Sequence, residues 1–140
     1  MKVAGLLLVI VFSVKSTLSN AQAKKPAQAR HSTASAARGK IVYTNTCLPC
    51  HMADGGGVPN MNPPLIKTKY VLGDKTKLIN IVLNGFDEEI EIDGQHYTNT
   101  MPPQVQLSDQ QIADVLTYVR SNFGNKAGAV MLADVKKVRK

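Results

Sequence analysis

The stretch with the most chemistry in it is Cys47-Leu48-Pro49-Cys50-His51. Two thiols three positions apart, with a histidine directly after the second, form the pattern of covalent haem attachment. Each sulfur can add to one vinyl group of the porphyrin, and the adjoining imidazole then meets one face of the iron as an axial ligand. A bare C-x-x-C also serves as a thiol–disulfide redox pair or as half of a zinc site. A zinc site needs a second pair of ligands, but the chain has no other cysteine, and its other histidines, His31 and His96, are isolated. A redox pair needs a preceding strand within a βαβ pattern, and none is visible. In an oxidising compartment a Cys47–Cys50 disulfide is the plain structural alternative.

A second candidate group lies in Thr100-Met101-Pro102-Pro103. Met101 is a thioether on a loop stiffened by two prolines, and its soft sulfur suits haem iron. A methionine opposite a histidine raises the reduction potential and favours electron transfer over chemistry at an open site. Met52, Met61, Met131 and His96 compete for this part. Met52 adjoins the proximal histidine, Met61 belongs to the loop after it and Met131 lies near the C-terminal end, so Met101 is the expected ligand. Between the two groups, Gly55-Gly56-Gly57-Val58-Pro59 and Asn62-Pro63-Pro64-Leu65 are loop chemistry. A long irregular loop in a compact domain usually wraps something, here the proximal edge of the haem. An axial histidine commonly donates its other ring N–H to a carbonyl, and the Pro63-Pro64 corner is the expected source.

The elements that must position these groups are mostly helical. A first helix is expected from Ser35, as cap, through Thr46, with Gly39 inside it at a cost of about 1 kcal/mol relative to alanine. A close helix crossing would explain that glycine. Asp74 caps a second helix over 75–84 that ends at Gly85, with Leu78, Ile81 and Val82 as its apolar stripe. Ile90 and Ile92 alternate with acids, and Asp93-Gly94 is a hairpin turn leading into Gln95-His96-Tyr97. The five acids Asp87, Glu88, Glu89, Glu91 and Asp93 read as a solvated face. Ser108 and Gln111 form a capping box for a last helix carrying Ile112, Val115, Leu116 and Val119.

The ends differ from the middle. Residues 1–23 combine a basic start at Lys2, an apolar run over 3–14 and an A-x-A site at Ala21-Gln22-Ala23, the pattern of a cleaved secretory signal, with an uncleaved anchor as the rival. Export fits the motif, since haem is joined to C-x-x-C-H outside the bacterial cytoplasm, and points to the periplasm. Residues 24–35 read as a flexible basic linker, 36–125 as the domain and 126–140 as a basic tail that forms at most a weak helix; it docks on the domain, touches anionic lipid or stays loose. The net charge of +7 belongs to these ends, since residues 36–125 hold seven basic against nine acidic residues. A nucleic-acid role needs a basic folded face with stacking aromatics, and neither is present.

A helix, C-x-x-C-H, a Pro-Pro-Leu loop, a second helix, Met-Pro and a capped last helix, in that order, resemble a class I cytochrome c of the small exported bacterial kind. The resemblance covers residues 36–125 and extends to the monohaem cytochrome subunits of bacterial dehydrogenases and terminal oxidases. It implies an all-α fold, a few helices wrapped around one covalently bound haem c with its iron, plus a short hairpin near 88–98. It implies Cys47 and Cys50 as thioether cysteines, His51 and Met101 as axial ligands, and Pro63, with Leu65 beside it, at the proximal edge. Gly39 and Tyr43 match the family's helix-crossing positions, with Val115 and Tyr118 as partners on the last helix. The family often has a tryptophan or arginine near the haem propionates; this chain has no tryptophan, and Tyr70 and Tyr97 are its nearest substitutes. The implied function is electron transfer by Fe(II)/Fe(III) cycling between a periplasmic or membrane-bound donor and acceptor, in respiratory or dehydrogenase complexes, with no catalysis of its own. Membrane contact would come through partners or the basic tail. The alternatives are a cytochrome subunit of such a complex and a peroxidase-like haem enzyme with an open sixth position.

Overall fold

A computed structural model describes residues 25–139, so the signal-peptide reading of residues 1–23 lies outside the described residues. The first helix, α1, runs over Lys25–Val42. It passes through one π-helical turn at Tyr43–Cys47 into the short helix α2, Leu48–His51. The haem-motif residues therefore follow a long helix without a break. Residues 25–35, expected as part of a flexible linker over 24–35, are helical in the structure, and their repeated alanines are strong helix formers. Ser35 is not the cap. It is buried within α1 and its hydroxyl donates to Asp114 Oδ1.

After the glycine-proline loop come α3, Lys69–Leu72, capped by Thr68, and α4, Lys75–Asn84, whose cap Asp74 accepts from the Lys77 amide at 2.8 Å. Gly85, at φ +79°, ends α4 as expected. The hairpin pairs β1, Ile90–Ile92, with β2, Gln95–Tyr97, in antiparallel register, Ile90 opposite Tyr97. Asp93 and Gly94 both have positive φ, which a two-residue hairpin turn of this twist requires. The last long helix, α5, spans Asp109–Ser121 and opens on the Ser108/Gln111 capping box.

Helix α1 packs along α5, and Gly39 is the point of closest approach. A Cβ there would lie 2.0 Å from the Asp114 carbonyl oxygen and 2.8 Å from Tyr118 Cβ. One turn on, the ring of Tyr43 stands 5.4 Å from that of Tyr118 and 5.3 Å from that of Phe123. The core continues through Ile79, Ile112, Val115, Leu116 and Val119. The crossing is also tied by polar groups. Arg38 makes two 2.7 Å bonds to the Asp114 carboxylate, joined by Ser35 and by Gln110 at 2.9 Å. Burial pushes the Asp114 carboxyl up, but the bonds from Arg38, Ser35 and Gln110 outweigh it and hold it below its ordinary value of 3.8.

The basic tail expected from residue 126 is part of the fold. Helix α6, Leu132–Val138, packs on α4 and α5, with Val130 and Val135 fully buried. Thr117 Oγ1 donates to the Val130 carbonyl at 3.1 Å. The guanidinium of Arg120, only 4% exposed, donates to the carbonyls of Gly128, Val71 and Gly73. Arg139 donates to the Leu107 carbonyl and pairs with Asp109. The buried Val130 and Val135, with Val138 packed on the core and a set of carbonyl acceptors, seat this segment.

Two outcomes test the crossing. Gly39→Ala must force the helices apart and should cost about 1–3 kcal/mol or more in a urea titration. Asp114→Asn should lower stability at neutral pH by roughly 1.5–3 kcal/mol. Because the folded carboxyl titrates below its ordinary value, its contribution is complete above pH of about 4 and is lost as pH falls through the folded pKa. The variant should therefore show a shallower acid loss of stability than the parent.

Candidate functional site

The predicted chemistry-bearing groups converge on one cavity. It encloses about 1300 Å³ of space, part of it open to solvent, and Cys47, Cys50, His51, Pro63, Leu65 and Met101 all line it. The other walls are largely apolar: Leu78, Ile81 and Val82 of α4, Val115, Leu116 and Val119 of α5, and Leu107. Helices α4 and α5 thus turn one flank to each other and α6, and another to this space.

His51 ends α2 and is buried. Its Nδ1 lies 3.0 Å from the Pro63 carbonyl oxygen. A carbonyl only accepts, so Nδ1 carries the proton and Nε2 keeps its lone pair. Burial lowers the His51 pKa and so favours the neutral ring, against the opposing pull of the Pro63 carbonyl. Gly57 permits the arrangement. It has φ +68°, its amide donates to the His51 carbonyl at 3.2 Å, and a Cβ there would stand 2.3 Å from the Asn62 carbonyl oxygen and 2.8 Å from that of Pro63. Leu65 closes the same loop through its amide, which donates to the Gly55 carbonyl at 2.7 Å.

Cys47 and Cys50 are not joined in a disulfide; Cys47 is half-buried and Cys50 exposed. Burial, then the neighbouring Cys50, pushes the Cys47 thiol up to about 11. The Tyr43 hydroxyl donates to the carbonyl of Met52, directly after His51, at 2.7 Å. This bond from α1 to the end of the motif was not foreseen, because nothing local in the sequence marks it.

Met101 is held across the cavity by a two-bond bridge to Phe86. Its amide donates to the Phe86 carbonyl at 2.7 Å, and the Phe86 amide returns a bond of 2.9 Å. Gly85 lets the segments meet, since a Cβ there would lie 2.6 Å from the Met101 carbonyl oxygen. Among the described residues no other methionine lines the cavity. Met52 and Met61 are exposed, and Met131 sits at the start of α6. His96 is exposed on the hairpin and bonded to Glu89 at 2.8 Å, outside the cavity. His31 is exposed on α1. Tyr70 and Tyr97 both reach the cavity wall, as do Ile81, Phe86 and Leu107, which sequence reasoning had not placed there. A signal existed for Leu107: it directly precedes the cap Ser108 and packs in one core with Ile112, the hydrophobic-staple spacing.

The site fits a covalently held porphyrin. Two thiols stand at one edge, an imidazole with a free Nε2 and a thioether line the space, and the remaining walls are apolar, which is the donor chemistry of haem iron. A small helical domain built around such a cavity is a haem-carrying domain. The Cytochrome c family profile matches residues 36–123, and the chain belongs to that family. It is 38% identical over 116 residues to the cytochrome c subunit of a quinone alcohol dehydrogenase from Gluconacetobacter polyoxogenes, covering 72% of this chain and 22% of that protein. It is 37% identical over 106 residues to the gluconate 2-dehydrogenase cytochrome c subunit of Pantoea cypripedii, covering 73% and 24%. It is 33% identical over 93 residues to cytochrome c-552 of Thermus thermophilus, covering 64% and 70%. The chain therefore spans about a quarter or less of the dehydrogenase subunits it matches. Its cofactor is a covalently attached haem c with iron, and its function is electron transfer.

Gly57→Ala tests the proximal geometry. The added methyl must displace the Asn62–Pro63 backbone, so the His51 Nδ1 proton should lose its carbonyl partner. The expected result is faster exchange of that proton by NMR and a loss of about 1–3 kcal/mol in stability.

Proposed function

We propose that Cys47 and Cys50 hold the haem c through thioether bonds, that His51 Nε2 and Met101 Sδ are the two axial ligands of its iron, and that Pro63 and Leu65 seat its proximal edge. The observation that carries this reading is the presence of all six residues on one cavity, with Met101 the only methionine of the described residues among them. Bound there, the haem supplies a one-electron Fe(II)/Fe(III) couple.

The chain's own residues do the rest. The Pro63 carbonyl fixes the His51 tautomer and raises the basicity of Nε2. The Phe86 bridge and Pro102-Pro103 stiffen the loop on the methionine side. Apolar walls from α4 and α5 would border the haem and limit water at the iron, while the anchored loops would keep His51 and Met101 within its reach. The thioether side also stabilises the reduced form. A site closed in this way moves electrons and leaves no position for substrate, which disfavours the peroxidase-like alternative.

The protein works outside the cytoplasm, in the periplasm, after removal of residues 1–23. Its donor and acceptor are redox proteins of respiratory or dehydrogenase complexes. Similarity to cytochrome subunits of dehydrogenases favours a second form of the same reading, in which this domain is the electron-accepting part of such a complex. No helix of the described residues is long and apolar enough to cross a membrane.

The test has two parts. An alkaline pyridine spectrum of the periplasmic protein, with its intact mass, should show one covalent haem and a chain that begins after Ala23. Met101→Ala should let the ferrous protein bind carbon monoxide readily and should lower the midpoint potential. Equal carbon monoxide binding before and after the substitution would contradict the assignment of Met101.

A further inference from the structure

We propose that Asn99 clasps the methionine loop to the histidine loop and so positions Met101; this rests on the axial role proposed above for Met101. The Asn99 amide N–H donates to the Met61 carbonyl at 3.1 Å, and its side-chain Nδ2 donates to Asn62 Oδ1 at 3.1 Å. The two asparagines are 37 positions apart in the chain. Each sits beside a group that matters to the iron. Asn62 directly precedes Pro63, whose carbonyl takes the His51 N–H, and Asn99 stands two residues before Met101. Asn62, Pro63, Asn99 and Met101 all line the cavity.

The clasp has a firm base. Asn62 is locked into a tight turn by two bonds with Val58, of 2.8 and 2.9 Å. That turn packs against Gly57, which leaves it no room to retreat. The methionine loop is anchored further on by the Phe86 bridge and by the Gln104 amide, which donates to the Val82 carbonyl at 2.9 Å. Both anchors tie it to α4 and its end. Asn99 alone among these contacts ties it to the histidine side. Loss of the side-chain bond leaves only the Asn99 amide on the Met61 carbonyl at this side and loosens the loop about the Phe86 bridge, so Met101 leaves the iron more often. An outside ligand competes for that place, and its apparent affinity rises in proportion to the fraction of open molecules.

The experiment is a titration of the ferric holoprotein with imidazole, followed through the shift of the Soret absorption, which reports binding in the parent and in every variant, Met101→Ala included. Asn99→Ala and Asn62→Ala should each raise the apparent affinity by about two- to tenfold, the range of one neutral hydrogen bond. The double variant should gain no more than either single one, since both remove the same bond. Asn62→Asp keeps an oxygen acceptor for the Asn99 amide and should bind imidazole as the parent does. Unchanged affinity in both alanine variants, or additive gains in the double one, would overturn the clasp, provided Met101→Ala itself raises the affinity. If Met101→Ala leaves affinity unchanged, the axial assignment falls and takes the clasp's role with it.

Discussion

The fold depends on backbone contact between α1 and α5. With no side chain at Gly39, the first helix lies directly on the carbonyl of Asp114. That contact brings Tyr43 against Tyr118 and Phe123 and sets the direction in which α1 runs into α2. The thiols and His51 are carried at the end of this one continuous helical segment, so their position relative to α5 is fixed by the crossing. The buried Asp114 carboxylate, bonded to Arg38, Ser35 and Gln110, ties the same point with charge-assisted bonds.

Around that crossing the domain is built as two shells. One face of α4 and α5 packs on α6 and the C-terminal segment; another faces the cavity. Arg120 belongs to the first shell. It is a buried cation whose partners are the carbonyls of Val71, Gly73 and Gly128, and it links the segment after α5 to the end of α3, where Val71 touches the cavity. The second shell lacks side chains at its centre. A covalently attached porphyrin supplies the missing apolar surface, which makes the cofactor part of the core as well as the redox group.

Much of this could be read from local spacing. The haem motif, the capping box at Ser108, the Asp74 cap, the Asp93-Gly94 turn and the mid-helix glycine all carry their meaning within a few residues, and the structure places each as expected. The place of Met101 on the cavity wall and the Pro63 carbonyl on His51 were reached by ligand chemistry combined with loop signals. The errors lie where tertiary partners decide. Residues 25–34 are polar enough to pass for a linker, yet they are helix, continuous with the part of α1 that Ser35, Arg38 and Gly39 seat on α5. For residues 126–139 docking, lipid contact and looseness stayed open in the sequence, because their anchors are backbone carbonyls met by Arg120 and Lys75, together with the two buried valines Val130 and Val135. No periodicity announces such contacts. The same holds for the bond between Tyr43 and the Met52 carbonyl, and for the pairing of Asn62 with Asn99.

The central claim is that His51 and Met101, which line one cavity, would both ligate the haem iron in both oxidation states. X-ray absorption at the iron edge, recorded on the oxidised and the reduced protein, tests it most directly. The account predicts porphyrin and imidazole nitrogens plus one sulfur in both spectra, with nearly equal bond lengths. A first shell without sulfur, or a sulfur that is lost when the oxidation state changes, would contradict it.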